Sequence, residues 1–74
     1  MAKRKTTPDA ERSFAKHVVI SPQGLNLREG PGKDYSVSRV LKAGETVQPE
    51  GDPDKNGWMP VRGGWVDSQY LREV

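Results

Sequence analysis

Beyond residue 16 the apolar residues fall in short runs separated by turn formers. Val18-Val19-Ile20 is a first short run, and Ser21-Pro22-Gln23-Gly24 stops it. Leu25 and Leu27 then alternate with Asn26 and Arg28, the period of a strand with two unlike faces. Val37–Leu41 is a third run, ended by the Ala43-Gly44-Glu45 turn. Thr46–Glu50 is a fourth, and Pro49 marks it as an edge because proline has no N–H for a ladder. Gly51–Gly57 is a loop of turn formers. Trp58–Val61 is a fifth strand, Arg62-Gly63-Gly64 a tight hairpin, and Trp65-Val66 a sixth strand. Asp67–Tyr70 reads as one helical turn, after which Leu71 returns to the core. Turn signals every ~8–12 residues predict an all-β sandwich or barrel. Such short connections rule out parallel crossovers and predict an antiparallel meander.

Residues 1–16 read differently, as a basic tail ahead of a β domain over 17–74. Thr7-Pro8-Asp9-Ala10-Glu11-Arg12 resembles a helix start, with Thr7 as cap, Pro8 in the first helical position and acidic residues at the positive end of the dipole. About two turns are too few to hold alone. The tail is therefore expected as a frayed helix docking through Phe14, or as plain disorder.

Composition narrows the picture. With 74 residues the chain is one domain. It has no cysteine and one histidine, His17, which leaves neither disulfides nor a Cys or His metal cluster to reinforce it. Two Trp and two Tyr must supply much of the buried area. The formal net charge is +2. Residues 1–17 carry five cations against Asp9 and Glu11, a balance of +3, while residues 18–74 carry seven cations against eight carboxylates, a balance of −1. The basic character belongs to the tail, whereas a nucleic-acid-binding barrel carries it on its own face. A nucleic-acid partner is thus disfavoured, Lys3-Arg4-Lys5 offering only weak, salt-sensitive attraction. No segment approaches the ~20 apolar residues that span a bilayer. The first residues lack the apolar region of a signal peptide, so the sequence as written reads as cytoplasmic, or as wall-located if it is cut from a longer exported chain.

Catalytic and cofactor chemistry find little support. Ser and Asp occur without a base to activate them, so no enzyme is expected. Gly30-Pro31-Gly32 lacks the Gly-Lys-Ser/Thr ending of a phosphate loop and reads as a rigid turn. Asp52, Asp54 and Asn56 lack the distal Glu of a calcium loop and read as solvated turn residues, with no metal or cofactor expected.

Four phrases, Gly24–Val37, Val40–Val47, Gly57–Val61 and Gly63–Leu71, resemble the bacterial SH3 domain family. They carry five elements in order: the Asn26-Leu27-Arg28 strand, the Gly30-Pro31 loop with the later Tyr35, the Leu41-x-x-Gly44 turn, the Gly57-Trp58 strand, and Gly64-Trp65-Val66 ending in Tyr70-Leu71. The resemblance covers about fifty residues and leaves 1–16 outside. It implies a small, strongly bent antiparallel barrel of five to six strands and a binding role. Many such domains hold peptidoglycan peptides, and others serve intracellular, phage or sensory proteins. Pro60 departs from the family pattern, standing where a strand donor is usual.

The expected ligand is an extended peptide or a cell-wall peptide. The alternative is a protein partner inside the cell, with the chain encoded by a phage or mobile element. The expected groove lies between the Glu29–Tyr35 and Asp52–Gly57 loops, over Tyr35, Trp58 and Tyr70. Phenols and indoles offer flat apolar faces with polar tips. Asn26 and Arg28, opposite the core face of their strand, either tie down backbone or present donors to the ligand. Asp34 joins them from the loop at the barrel mouth. The chain reads as a monomer, with its edge strands leaving dimerisation open.

Overall fold

The computed structural model describes residues 14–74, so the helix start at Thr7–Arg12 lies outside the described residues. Seven strands follow one another: β1 (His17–Val19), β2 (Leu25–Arg28), β3 (Val37–Leu41), β4 (Thr46–Val47), β5 (Trp58–Val61), β6 (Gly64–Asp67) and β7 (Leu71–Glu73). A 3₁₀ turn, Ser68–Tyr70, joins the last two. They form two antiparallel sheets, one in the order β4-β1-β7 and the other β3-β2-β6-β5. The all-β class is as the runs and turn signals predict, and the SH3-like arrangement is as the family resemblance implies.

The expected meander is only partly realised. β2–β3 and β5–β6 pair as neighbours in sequence, but β1 pairs with β4 and β7, and β2 with β6. Period-2 patterning marks strands and their faces but carries no address for the partner. The seventh strand has a similar cause. Leu71–Glu73 has one buried residue, so nothing in it alternates, and pairing with β1 alone makes it extended. The first strand also begins at His17 and ends at Val19, one residue before the expected run. Ile20 is exposed and its N–H donates to the Tyr70 carbonyl at 2.9 Å.

The core is aliphatic. Val19, Leu25, Leu27, Leu41, Val47, Met59, Val61, Val66 and Leu71 form one buried cluster. β2 and β5 contribute two alternate residues each and the other strands one, and Val66, on the inner strand β6, is 0% exposed. A fully buried side chain of this kind contributes about 1.5–3 kcal/mol relative to exposure. β2 and β6 meet so closely that a Cβ at Gly64 would collide with the Arg28 carbonyl oxygen. Glycine there lets the two halves of the larger sheet join.

The two prolines fit the ladders through their positions. Pro49 is buried and bridges Val61, with Glu50 N–H donating to the Pro60 carbonyl (2.8 Å) and Arg62 N–H to the Gln48 carbonyl (3.1 Å). These bonds flank the Pro49–Val61 pair, so the missing N–H is not called on. The edge expected from Pro49 is therefore paired, and the predicted Thr46–Glu50 strand shortens to Thr46–Val47 plus this single bridge. Pro60 faces Trp65 in a complete β5–β6 register. It accepts from Glu50 and has no N–H to return.

Glu45 anchors the turn after β3. Its carboxylate accepts the Lys42 N–H at 3.0 Å and the Arg39 guanidinium at 2.8 Å. The Lys42 bond, and then Arg39, hold its pKa below the ordinary glutamate value.

Two outcomes follow from this packing. Leu41→Ala lowers the unfolding free energy in urea by about 2–5 kcal/mol, whereas Val40→Ala, at a position 56% exposed, changes it by less than about 0.5 kcal/mol. The Glu45 contribution has the sign of a lowered carboxyl pKa. It is complete above the unfolded value of about 4.3 and fades as pH falls through the lower folded one. Acid melts of the wild type and Glu45→Gln converge there, and persistent separation of the two curves contradicts the assignment.

Candidate functional site

β2 builds the site by turning its polar residues away from the core. Its burial alternates along Leu25-Asn26-Leu27-Arg28, with the leucines buried, Asn26 exposed and Arg28 half-buried. Cross-strand partners share a face. Asn26 pairs with Val40, Arg28 with Trp65, Trp65 with Pro60, and Asp67 with Trp58. Residues 26, 28, 58, 60, 65 and 67 therefore lie on the outer face of the four-stranded sheet.

A cleft of about 390 Å³ opens on this face. Asn26, Arg28, Trp58, Asp67 and Tyr70 line it, together with Lys33 and the Ser21, Gln23 and Gly24 turn. Trp58 is only 9% exposed, yet it stands apart from the aliphatic cluster. Its burial comes from the outer side of the sheet. Asp54 fixes it there: Oδ1 accepts the Trp58 N–H at 2.9 Å and the Asn56 N–H at 2.9 Å, and the Asp54 N–H donates to the Trp58 carbonyl at 2.8 Å. The acidic loop that faintly suggested a calcium site thus spends this carboxylate oxygen on backbone donors.

Tyr70 reaches the cleft from the 3₁₀ turn. Asp67 caps that turn, accepting the Gln69 N–H at 3.2 Å and the Gln69 amide at 3.0 Å. Ser68 N–H donates to the Gly57 carbonyl, and the Tyr70 carbonyl receives Ile20 N–H. These bonds bring the Ser21–Gly24 turn, Tyr70 and the Trp58 loop to one side of the molecule.

Arg28 turns inward on its own loop. Nη1 donates to the Lys33 carbonyl at 3.1 Å and to the Tyr35 carbonyl at 2.9 Å. The loop is further tied by Glu29 N–H to the Ser36 carbonyl. Gly30 is buried beneath the Tyr35 ring, where a Cβ would run into the ring carbons. Tyr35 keeps 49% of its surface exposed, but neither it nor Asp34 lines the cleft.

Of the six residues expected in the site, Asn26, Arg28, Trp58 and Tyr70 are brought together, and Asp34 and Tyr35 stand outside. The expected groove shifts accordingly. Its wall is the Ser21–Gly24 turn, while the Asp52–Gly57 loop acts from behind by holding Trp58. Ser21, Gln23 and Gly24 had read only as strand punctuation, since turn formers carry no signal of which surface they border. The local pattern at Asp67 is that of a cap, and this is also its bonding here.

Residues 23–72 match the profile of the bacterial SH3 domain family, and the chain belongs to that family. No curated protein matches it. Domains of this family are binding modules, generally without catalytic activity. Within this one, Arg28 organises the loop beside the cleft. Arg28→Ala costs about 1–3 kcal/mol of stability and speeds hydrogen exchange at Glu29 and Tyr35 more than at Val66. Uniform acceleration across the chain contradicts that role.

Proposed function

We propose that this bacterial SH3 domain is a non-enzymatic recognition module whose outer cleft holds an extended peptide, with the stem peptide of peptidoglycan as ligand class. One observation carries the reading: a tryptophan is buried away from the core, at the wall of a cleft that also holds Asn26, Tyr70 and a cation.

The chemistry suits an extended chain. Trp58 and Tyr70 (40% exposed) offer apolar faces that cover a backbone without a deep pocket. The Asn26 amide both donates and accepts, matching the N–H and C=O groups of a peptide main chain. Lys33 supplies a positive charge for the carboxylates that a stem peptide carries. Arg28 acts as a positioning residue, because Nη1 is spent on the loop carbonyls that place Lys33.

Sedimentation with purified cell walls tests this. The wild type pellets with the walls, and Tyr70→Ala and Asn26→Ala each weaken retention about tenfold or more at unchanged Tm. No retention of the wild type, with no amide shifts around Asn26 and Tyr70 when soluble stem peptide is added, ends the wall reading.

A further inference from the structure

We propose that the gap between β3 and β4 is a second binding groove, one that takes an extended acidic peptide. β3 ends the four-stranded sheet and β4 ends the three-stranded one. The Lys42–Glu45 turn joins them in sequence, yet β3 pairs with β2 and β4 with β1, and the two do not pair with each other. A cleft of about 390 Å³ opens between them. Strand edges therefore border it on two sides, the β4 edge being open only as far as Val47 because the Gln48 carbonyl already accepts the Arg62 N–H, and an open edge is a template for an added strand.

Its lining sets the occupant's chemistry. Leu41, Val47 and Val61 lie beneath it, almost wholly covered at 2%, 9% and 2% exposed, and Lys16, Arg39 and Arg62 stand around it. Among the described residues no acidic one lines the cleft; Glu45 lies beside it, paired with Arg39 at 2.8 Å. Arg39 and Arg62 belong to residues 18–74, whose own balance is −1, and Lys16 stands just ahead of them, so the positive rim is local. The carboxylates of an extended acidic chain match such a rim. A nucleic-acid strand matches less well, because among the described residues no aromatic side chain lines the cleft to stack on bases. The groove shares no lining residue with the Trp58 cleft and stands independently of the wall-peptide reading.

The test is an NMR titration of the full chain with a capped peptide of alternating glutamate and leucine. Amide shifts are expected at Arg39, Leu41, Thr46 and Val47. Combining Lys16→Glu with Arg62→Glu weakens binding about tenfold or more, the milder Lys16→Gln with Arg62→Gln weakens it less, and Asn26→Ala leaves it unchanged. Replacing the peptide's glutamates by glutamine abolishes the shifts. Any of four results overturns the proposal: shifts confined to the Trp58 cleft, equal binding of the glutamine peptide, unchanged affinity in both double variants, or equal competition by oligothymidylate. Concentration-dependent shifts at these residues without peptide also overturn it, marking a second copy as the occupant.

Discussion

The pleat of one strand, β2, governs both the interior and the surface of this domain. Leu25 and Leu27 point into the aliphatic cluster, so Asn26 and Arg28 must point out. A slip of one residue would bury an amide and a guanidinium and expose two leucines. The register is held from both sides, by β3 along the whole strand and by β6 at Arg28. Gly64 permits the second contact by leaving room for the Arg28 carbonyl. The placement of cleft residues is thus a by-product of core packing, and the core's stability is what keeps the cleft in shape.

Polar side chains extend that order into the loops. Arg28, Asp54 and Asp67 each close a turn by bonding backbone groups within seven residues of themselves. A chain of 74 residues buries a modest fraction of its surface, and local ties of this sort limit the freedom of loops that the core does not reach. Trp58 is the exception to economy. Its large apolar surface is spent on the outer face of the sheet, where it walls the cleft, and the core is left to aliphatic residues.

The two sheets are joined at few points. The Pro49–Val61 bridge and its two flanking bonds connect the segment after β4 to β5. Across the other side, β3 and β4 diverge after their shared turn. The Arg39–Glu45 pair and the Glu45 bond to Lys42 hold that turn. The same divergence leaves a cleft between two strand edges.

Much of this was written in local patterns. The strands at Leu25–Arg28, Val37–Leu41 and Trp58–Val61, the helical turn before Leu71 and the split of β2 into two faces follow from pleat geometry and turn chemistry, which act over a few residues. Asn26, Arg28, Trp58 and Tyr70 were legible as candidates because their residue types and faces are local facts. Contacts between distant residues were not. Nothing near Asp34 or Tyr35 in sequence says that the loop folds back onto Gly30 and Arg28, nor does Ser21-Pro22-Gln23-Gly24 announce that it borders Trp58. The pairing of β1 with β4 and β7 and the gap beside β3 depend on which edges meet once the apolar faces combine. Local pattern marked the strands and, in β2, the face that is buried; only the tertiary structure, through long-range pairing and close approach, decided which surfaces were left open for a ligand.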